Sequence, residues 1–182
     1  MKHANHPSDP HPSFASCTDN TAQTVRLDDT DATVQAGQAL GQVLRTEQGL
    51  AVILFYGELG TGKTTFTRGL VSALPGGDEA EVASPSFTLC NSYPTQPPIL
   101  HCDLYRSEGA LPDEVDEALD EGAGLVLVEW AERLPKRNVP QERLDIRFQS
   151  CKNARSMTLT PHGETAGRVL QAFLHVQNAF SH

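Results

Sequence analysis

The apolar residues of this chain fall into short runs whose spacing predicts a sheet. Residues 51–56 (AVILFY) and 125–128 (LVLV) are unbroken apolar runs, which are typical of strands buried on both faces. Residues 144–148 (LDIRF) alternate instead, as a half-exposed strand does, and 157–160 supply a hairpin partner. Further strands are predicted at 24–27, at 98–106 and, fading at Asn91, after the segment 84–89.

Helical spacing appears between and after these strands. Residues 64–74 place Phe66, Leu70 and Leu74 on one face, which predicts an amphipathic helix directly after the first buried strand. Other helices are predicted at 32–45, after N-cap candidates between Asp28 and Asp31, at 111–121 and at 165–180. The chain therefore alternates strands and helices.

A glycine-rich loop joins the first buried strand to its helix. It reads GELGTGKT at 57–64 and fits the phosphate-binding pattern G-x-x-x-x-G-K-[ST]. Its glycines let backbone N–H groups point inward at the positive end of the helix, which makes a nest for an anion. Lys63 would reach the β- and γ-phosphates of a nucleotide, and the Thr64 hydroxyl would hold Mg²⁺. The predicted nucleotide-binding residues are Gly57, Glu58, Leu59, Gly60, Thr61, Gly62, Lys63, Thr64 and Thr65.

A glycine-rich turn that binds nothing is the alternative, but strand, loop and helix follow in the order that phosphate binding requires. These elements predict an α/β fold of the P-loop NTPase type, with helices on both faces of a mostly parallel sheet. The length of 182 residues fits one such domain. We expect a disordered leader at 1–22, a P-loop domain at 23–163, and a C-terminal helix at 164–182 packed on or extending from it.

Two predicted strands carry acids near their ends. The second buried run ends in Glu129, and a buried strand that delivers an acid to its C-terminal tip matches the Walker B pattern, where most P-loop proteins have Asp. Ligands of open α/β sheets bind at this edge. Alternation along 98–106 puts His101 and Asp103 on one side and Cys102 on the other, so a His-Cys-Asp metal site is not expected. A carboxylate such as Asp103 within a strand is costly unless it has a task or a partner.

The segment SPSFTL at 84–89 has two interpretations. P-loop proteins often place a hydroxyl-rich switch segment that senses the γ-phosphate just after the first helix. An ordinary turn that enters a strand has the same spacing. Sequence alone leaves both open.

Charge limits the partners that this chain can bind directly. The formal net charge of −9 argues against tight unaided binding to DNA or RNA. The charge is uneven, because residues 108–121 carry seven acids and no base while 133–155 hold seven of the fourteen Lys and Arg. Two flanks of opposite charge suit a protein partner, although solvated faces are the commoner explanation.

Cysteine spacing and apolar length indicate the compartment. The four cysteines, Cys17, Cys90, Cys102 and Cys151, show no C-x-x-C spacing, and reduced thiols in a cytoplasmic protein are the expectation. No run approaches the roughly 18 apolar residues that a membrane helix needs. We therefore expect no membrane association.

Four blocks in order carry a resemblance to a known family. GELGTGKTTFTRGL, SPSFTL, HCDLYR and LVEWAERLP resemble the bacterial ATPase of tRNA threonylcarbamoyladenosine biosynthesis, the TsaE (YjeE) type, over roughly residues 24–162. LVEWAERLP is the most specific block. Ser86 stands where the family usually has Thr, and Cys102 where an aromatic residue is common.

The resemblance implies a P-loop ATPase that uses ATP and Mg²⁺ and works with the proteins of the threonylcarbamoyl-transfer complex, of TsaB and TsaD type. Because no motif fixes an arginine at the phosphates, we expect hydrolysis to be slow alone and to be stimulated by those proteins. That complex modifies adenosine 37 of tRNAs reading ANN codons, so contact with tRNA would be indirect. The resemblance makes Lys63, Asp103 and Glu129 catalytic, with Asp103 a candidate to orient the attacking water. It places Thr64 and Glu129 at Mg²⁺ and Trp130 beside the nucleotide.

Three other functions share parts of this pattern. A small-molecule or nucleotide kinase of the P-loop class usually needs an arginine-rich lid, and the acidic stretch at 108–121 is a poor one. A regulatory GTPase would carry an N-K-x-D or T-K-x-D tetrapeptide, which this sequence lacks. A non-catalytic nucleotide-dependent module remains open, because sequence cannot prove turnover.

Overall fold

A mixed sheet forms the centre of the computed structural model, which describes residues 21–107, 111, 113–122, 124–151 and 154–180. The strands are β1 (Gln23–Leu27), β2 (Val52–Tyr56), β3 (Cys90–Tyr93), β4 (Ile99–Asp103), β5 (Leu125–Glu129), β6 (Arg143–Cys151) and β7 (Ala154–His162). The α-helices are α1 (Thr30–Leu44), α2 (Lys63–Ser72), α3 (Asp113–Glu121) and α4 (Glu164–Phe180).

The strand order is β1-β7-β6-β2-β5-β4-β3. The four central strands β6, β2, β5 and β4 are parallel, whereas β1, β7 and β3 join antiparallel at the two edges. The α/β fold is confirmed, and the parallel arrangement holds in the centre of the sheet. The pairs β3–β4 and β6–β7 each join consecutive strands only a few residues apart, and so short a connection can join only antiparallel strands. The strand β1 pairs with β7 from the other end of the chain.

Helices cover both faces of the sheet, as predicted. Buried apolar residues of α1, α2 and α4 form one core with alternate residues of the sheet, including Phe55, Phe66 and Phe173. The other core, smaller, packs the opposite sides of β2 and β5 against α3 and the 3-10 turn Ala131–Arg133. The central strands β2 and β5 are therefore buried on both sides, which explains their unbroken apolar runs.

Small residues bring α1 and α2 into close contact. A Cβ added to Gly37 would overlap the carbonyl of Phe66, and one added to Gly69 would overlap the carbonyl of Val34. Backbone-to-backbone packing of this kind leaves no side chain between the helices, so α1 fixes the position of α2 and of the loop before it.

Two expectations about the segment 84–102 need correction. The strand expected to fade at Asn91 instead runs as β3 from Cys90 to Tyr93, because it pairs with β4 as an edge strand. Cys90 and Cys102 lie opposite each other in that pair, with Cα atoms 4.1 Å apart, and form a disulfide. The expectation of reduced thiols is therefore wrong for these two residues, since strand register joins cysteines that show no spacing motif.

The ends of the chain are described to different extents. The hairpin of β6 with β7 and the closing helix α4 lie where the sequence predicted them, and Ala166, Val169 and Phe173 of α4 are fully buried in the larger core. The predicted leader lies outside the described residues, apart from positions 21 and 22. Within the described ranges, no helix combines the length and apolarity needed to span a bilayer.

Candidate functional site

The loop after β2 has the geometry of an anion nest. Gly57, Gly60 and Gly62 all have positive φ values, of 127°, 77° and 111°. At Gly57 a side chain is excluded twice over, because a Cβ there would also overlap the carbonyl of Phe148. Gly62 is the N-cap of α2 and provides no side-chain cap, so the first N–H groups of that helix remain available to a bound anion.

Lys63 lies folded against its own loop. Its Nζ donates to the carbonyls of Gly57 at 2.6 Å and Glu58 at 3.0 Å, and lies 4.4 Å from the ring centroid of Trp130. The side chain is buried, and desolvation lowers the pKa of Lys63 despite the opposing effect of carboxylates, of which Glu129 is the strongest. A buried ammonium with oxygen partners only from carbonyls is suited to receive a phosphate.

Two carboxylates stand side by side where parallel strands end. Asp103 closes β4, Glu129 closes β5, and the two residues are direct partners in the register of that strand pair. Both are 3 % exposed. The two acids that the sequence placed at the ends of two strands thus form a single acidic site beside the loop.

Glu129, at the end of β5, contacts the start of α2. Its Oε1 accepts a hydrogen bond of 2.8 Å from Thr64 Oγ1 and lies 3.0 Å from His101 Nε2. The hydroxyl and the carboxylate predicted to share Mg²⁺ are therefore in direct contact, 65 residues apart in the sequence. Oxygen ligands of these types are the ones that Mg²⁺ prefers.

Asp103 is held by the segment that follows α2. Its Oδ2 accepts a hydrogen bond of 2.8 Å from Ser84 Oγ, and its Oδ1 accepts one of 2.8 Å from the backbone N–H of Tyr105. Ser84 belongs to the segment 84–89, for which both a switch and a simple turn were open. Its bond to Asp103 gives a switch at this position a direct route to the acidic site.

Trp130 has a strained backbone beside these groups. Its φ of 59° lies in the left-handed region, which bulky residues rarely adopt. The ring packs against Tyr105, with centroids 4.8 Å apart, as well as against the Lys63 ammonium. A conformation that costs energy thus places an aromatic ring against the lysine of the loop.

Most of the predicted site residues line one cleft of about 230 Å³. Its lining residues are Thr30, Leu59, Gly60, Gly62, Lys63, Thr64, Thr65, Ser84, Asp103, Glu129, Trp130 and Arg155. Gly57, Glu58 and Thr61 lie outside this lining and shape the loop instead, since the carbonyls of Gly57 and Glu58 hold Lys63, and Thr61 Oγ1 donates to the Glu58 carbonyl.

Sequence reasoning missed two residues of the cleft. Thr30 begins α1, and Arg155 lies on β7, which is two strands from β2 on the side away from β5. Arg155 belongs to the basic stretch 133–155, but only the strand order brings it to the loop. Thr30 falls within the range 28–31 that supplied N-cap candidates, but that pattern does not connect it with the loop.

A larger cavity of about 590 Å³ lies at the opposite edge of the sheet, where β2 and β5 begin. Its lining has one carboxylate, that of Glu47, and no lysine, so size alone does not make it the functional site. Among the described residues, no group of three or more His, Cys, Asp or Glu could hold a metal by itself. Thr64 and Glu129 offer two oxygen groups to a cation. This number suits Mg²⁺ that arrives with a phosphate ligand, because Mg²⁺ usually takes its remaining ligands from phosphate oxygens and water.

Comparison with known proteins gives a consistent result. The model of the family described as threonylcarbamoyl adenosine biosynthesis protein TsaE matches residues 27–157. Proteins named tRNA threonylcarbamoyladenosine biosynthesis protein TsaE are similar in sequence. The one from Synechocystis is 40 % identical over 116 residues, 60 % of this chain and 71 % of that protein. The one from Streptomyces coelicolor is 33 % identical over 140 residues, 71 % of this chain and 90 % of that protein.

A solved structure agrees with the sequence comparison. The crystal structure of YdiB from Bacillus subtilis superposes with a TM-score of 0.65 at 26 % identity, covering 85 % of this chain and 95 % of that one. The family match spans the loop, Asp103, Glu129 and most of the hairpin. The chain belongs to the TsaE family.

Proposed function

We propose that this chain binds and hydrolyses ATP as a component of the machinery that installs N6-threonylcarbamoyl on adenosine 37 of tRNAs reading ANN codons. One observation carries the proposal: Thr64 and Glu129 share a 2.8 Å hydrogen bond beside Lys63 and Asp103, at the mouth of a glycine nest. This hydrogen bond joins the Walker A loop to the Walker B acid, and a P-loop ATPase needs both.

Different residues of the cleft would bind the phosphates, the Mg²⁺ and the rest of the nucleotide. The nest from Gly57 to Gly62 and the first N–H groups of α2 would receive the phosphates, and Lys63 would exchange its carbonyl partners for phosphate oxygens. Thr64 and Glu129 would hold Mg²⁺, which neutralises charge on the phosphates when bound. Thr65 and Trp130 line the same cleft and would complete the walls around the nucleotide.

Asp103 is the residue that we assign to the attacking water. It lies next to Glu129 at the strand ends, and two donors, Ser84 Oγ and the N–H of Tyr105, fix its carboxylate. A carboxylate held in this way can accept a hydrogen bond from water and aim it at the γ-phosphate. The segment 84–89 would sense the γ-phosphate through Ser84.

We infer that protein partners, the transfer-complex proteins of TsaB and TsaD type, complete the catalytic site. The net charge of −9 makes direct tRNA binding unfavourable, so the link to tRNA would run through those proteins in the cytoplasm. Stimulation by partners is a familiar device of P-loop enzymes, where an arginine supplied by a second protein raises the rate by roughly 10³–10⁵.

A small-molecule kinase is the second candidate. It needs a cleft that admits a second substrate beside the γ-phosphate and usually several lid arginines. Arg155 is the one arginine among the residues that line the described cleft. This favours hydrolysis over transfer to a metabolite.

Phosphate release by the purified chain with Mg-ATP tests the proposal. We expect slow release that is lost in Lys63→Ala and Glu129→Ala, with ATP binding weakened most in Lys63→Ala because that change removes a charge from the phosphates. Glu114→Ala, on the exposed side of α3, is the matched acidic control and should behave as the parent chain. Undiminished release in either site variant would refute the assigned roles.

A further inference from the structure

His101 is a buried residue whose contacts the proposed roles do not use. It lies on β4 two residues before Asp103, and it is fully buried. Its Nε2 is 3.0 Å from Glu129 Oε1, and its Nδ1 is 3.4 Å from the hydroxyl of Tyr93 on β3. A chain of polar groups thus runs from the edge strand to the acid at the end of β5.

The chemistry of these groups fixes which atom donates. A carboxylate only accepts hydrogen bonds, so Nε2 of His101 carries the hydrogen that lies between it and Glu129. In the tautomer with the hydrogen on Nε2, Nδ1 has a lone pair to which the Tyr93 hydroxyl can donate. Each polar atom of the ring has a partner of the correct type.

Glu129 needs such a partner more than an aspartate would. Its side chain has one more rotatable bond, and its Oε1 already receives the hydroxyl hydrogen of Thr64. The His101 donor at the same oxygen leaves the carboxylate one orientation in which both bonds are made. That orientation keeps the acid against Thr64, where the metal is proposed to bind.

We propose that His101 is a positioning residue that orients Glu129 for Mg²⁺, with Tyr93 in turn orienting the ring. The inference rests on the proposed function of the Thr64–Glu129 pair. Outer partners that orient metal-binding carboxylates typically change metal affinity by about 10–100-fold when they are removed. A purely structural histidine would change stability and leave metal affinity unaltered.

Three substitutions at this position separate the two possibilities. The amide nitrogen of Gln can replace Nε2, so His101→Gln keeps the donor to Glu129. His101→Asn reaches only the position of Nδ1 and loses that donor, while His101→Leu loses both polar atoms. Met157→Leu, a fully buried core change on β7 outside the cleft, is the control for a packing defect.

The measurement is Mg²⁺ affinity in the presence of saturating non-hydrolysable ATP analogue, with thermal unfolding recorded for every variant. We expect Asn and Leu to weaken Mg²⁺ binding by about 10–100-fold, and Gln to retain most of it. Analogue binding without Mg²⁺ should be unchanged in all variants, because Lys63 and the glycine nest are intact. The control should match the parent chain.

Other outcomes decide against the inference. Equal Mg²⁺ affinity in the parent chain, His101→Asn and His101→Leu would overturn it, as would a loss in His101→Gln as large as in His101→Leu. Failure of the proposed function looks different, because the parent chain itself would then show no Mg²⁺-dependent analogue binding. If His101→Leu is too unstable to purify, the comparison of Gln with Asn still decides.

Discussion

At the scale of single residues, Trp130 connects the lysine of the loop with the acidic site. Its ring lies 4.4 Å from Lys63 Nζ, and the sequence contains no other tryptophan. Movement of the ammonium toward phosphates would change the field at the ring. We therefore predict a change in intrinsic fluorescence at saturating Mg-ATP. Unchanged emission would contradict the prediction that Trp130 lies beside the bound nucleotide. If Lys63 transmits the response, Lys63→Ala should abolish it.

The ionisation of Lys63 gives a second prediction at this scale. Desolvation lowers its pKa, whereas bound phosphates would raise that pKa again. Nucleotide binding should therefore take up protons between the lowered pKa of the free protein and the higher pKa of the complex, so affinity falls as pH rises through that window.

Calorimetry in buffers of different ionisation enthalpy counts these protons. Lys63→Arg is the control, because its guanidinium stays charged and should show no uptake linked to this residue. Zero proton uptake by the parent chain across the alkaline range would contradict the assignment of Lys63 to the phosphates.

Individual residues also mark the limits of sequence reasoning. The glycines and Lys63 could be assigned to phosphate binding because strand, loop and helix are consecutive. The acids Asp103 and Glu129 could be assigned to the site because strand ends are recognisable from apolar runs. The bond from His101 to Glu129 and the approach of Arg155 depend on which strands are neighbours. Strand order is set by packing of the whole sheet, which local patterns do not contain.

At the scale of elements, the disulfide ties the edge strand β3 to β4. Cys90 and Cys102 close a segment with a sequence separation of 12. Loop-closure entropy predicts that this bond stabilises the oxidised chain by about 2–4 kcal/mol. Cys90→Ala, which leaves the buried Cys102 in place, should lower the free energy of unfolding by that amount. Both proteins are compared by chemical denaturation.

The same comparison in dithiothreitol is the control. The difference between the parent chain and Cys90→Ala should then shrink to the small effect of one sulfur atom. An oxidised parent chain that is no more stable than Cys90→Ala would contradict the pairing. In a reducing compartment the bond would open, and β3 would remain held by its ladder with β4 alone.

Elements were predicted with unequal success for physical reasons. The amphipathic helices and the buried strands β2 and β5 follow from their own periodicity. The strand β3 has the sequence CNSY, which carries no apolar pattern, and it becomes a strand because β4 offers a free edge. Its continuation past Asn91 to Tyr93 therefore could not be obtained from spacing.

At the scale of the whole molecule, the site lies at one edge of a rigid central sheet. The parallel strands β2, β5 and β4 deliver the loop, Glu129 and Asp103 to the same edge, and the close packing of α1 on α2 fixes the helix that starts there. The sequence carries an acidic stretch at 108–121 and a basic stretch at 133–155, and we propose that these stretches dock a protein partner. Catalysis would then depend on what docks beside the cleft.

The rate of ATP hydrolysis under single-turnover conditions, with and without the purified transfer-complex proteins, tests the central claim most directly. We predict slow hydrolysis by the chain alone and a large rise when those proteins are added, with Lys63→Ala inactive in both cases. Full-speed hydrolysis by the chain alone, unchanged by the transfer complex, would contradict the claim that this ATPase works as a component of that machinery.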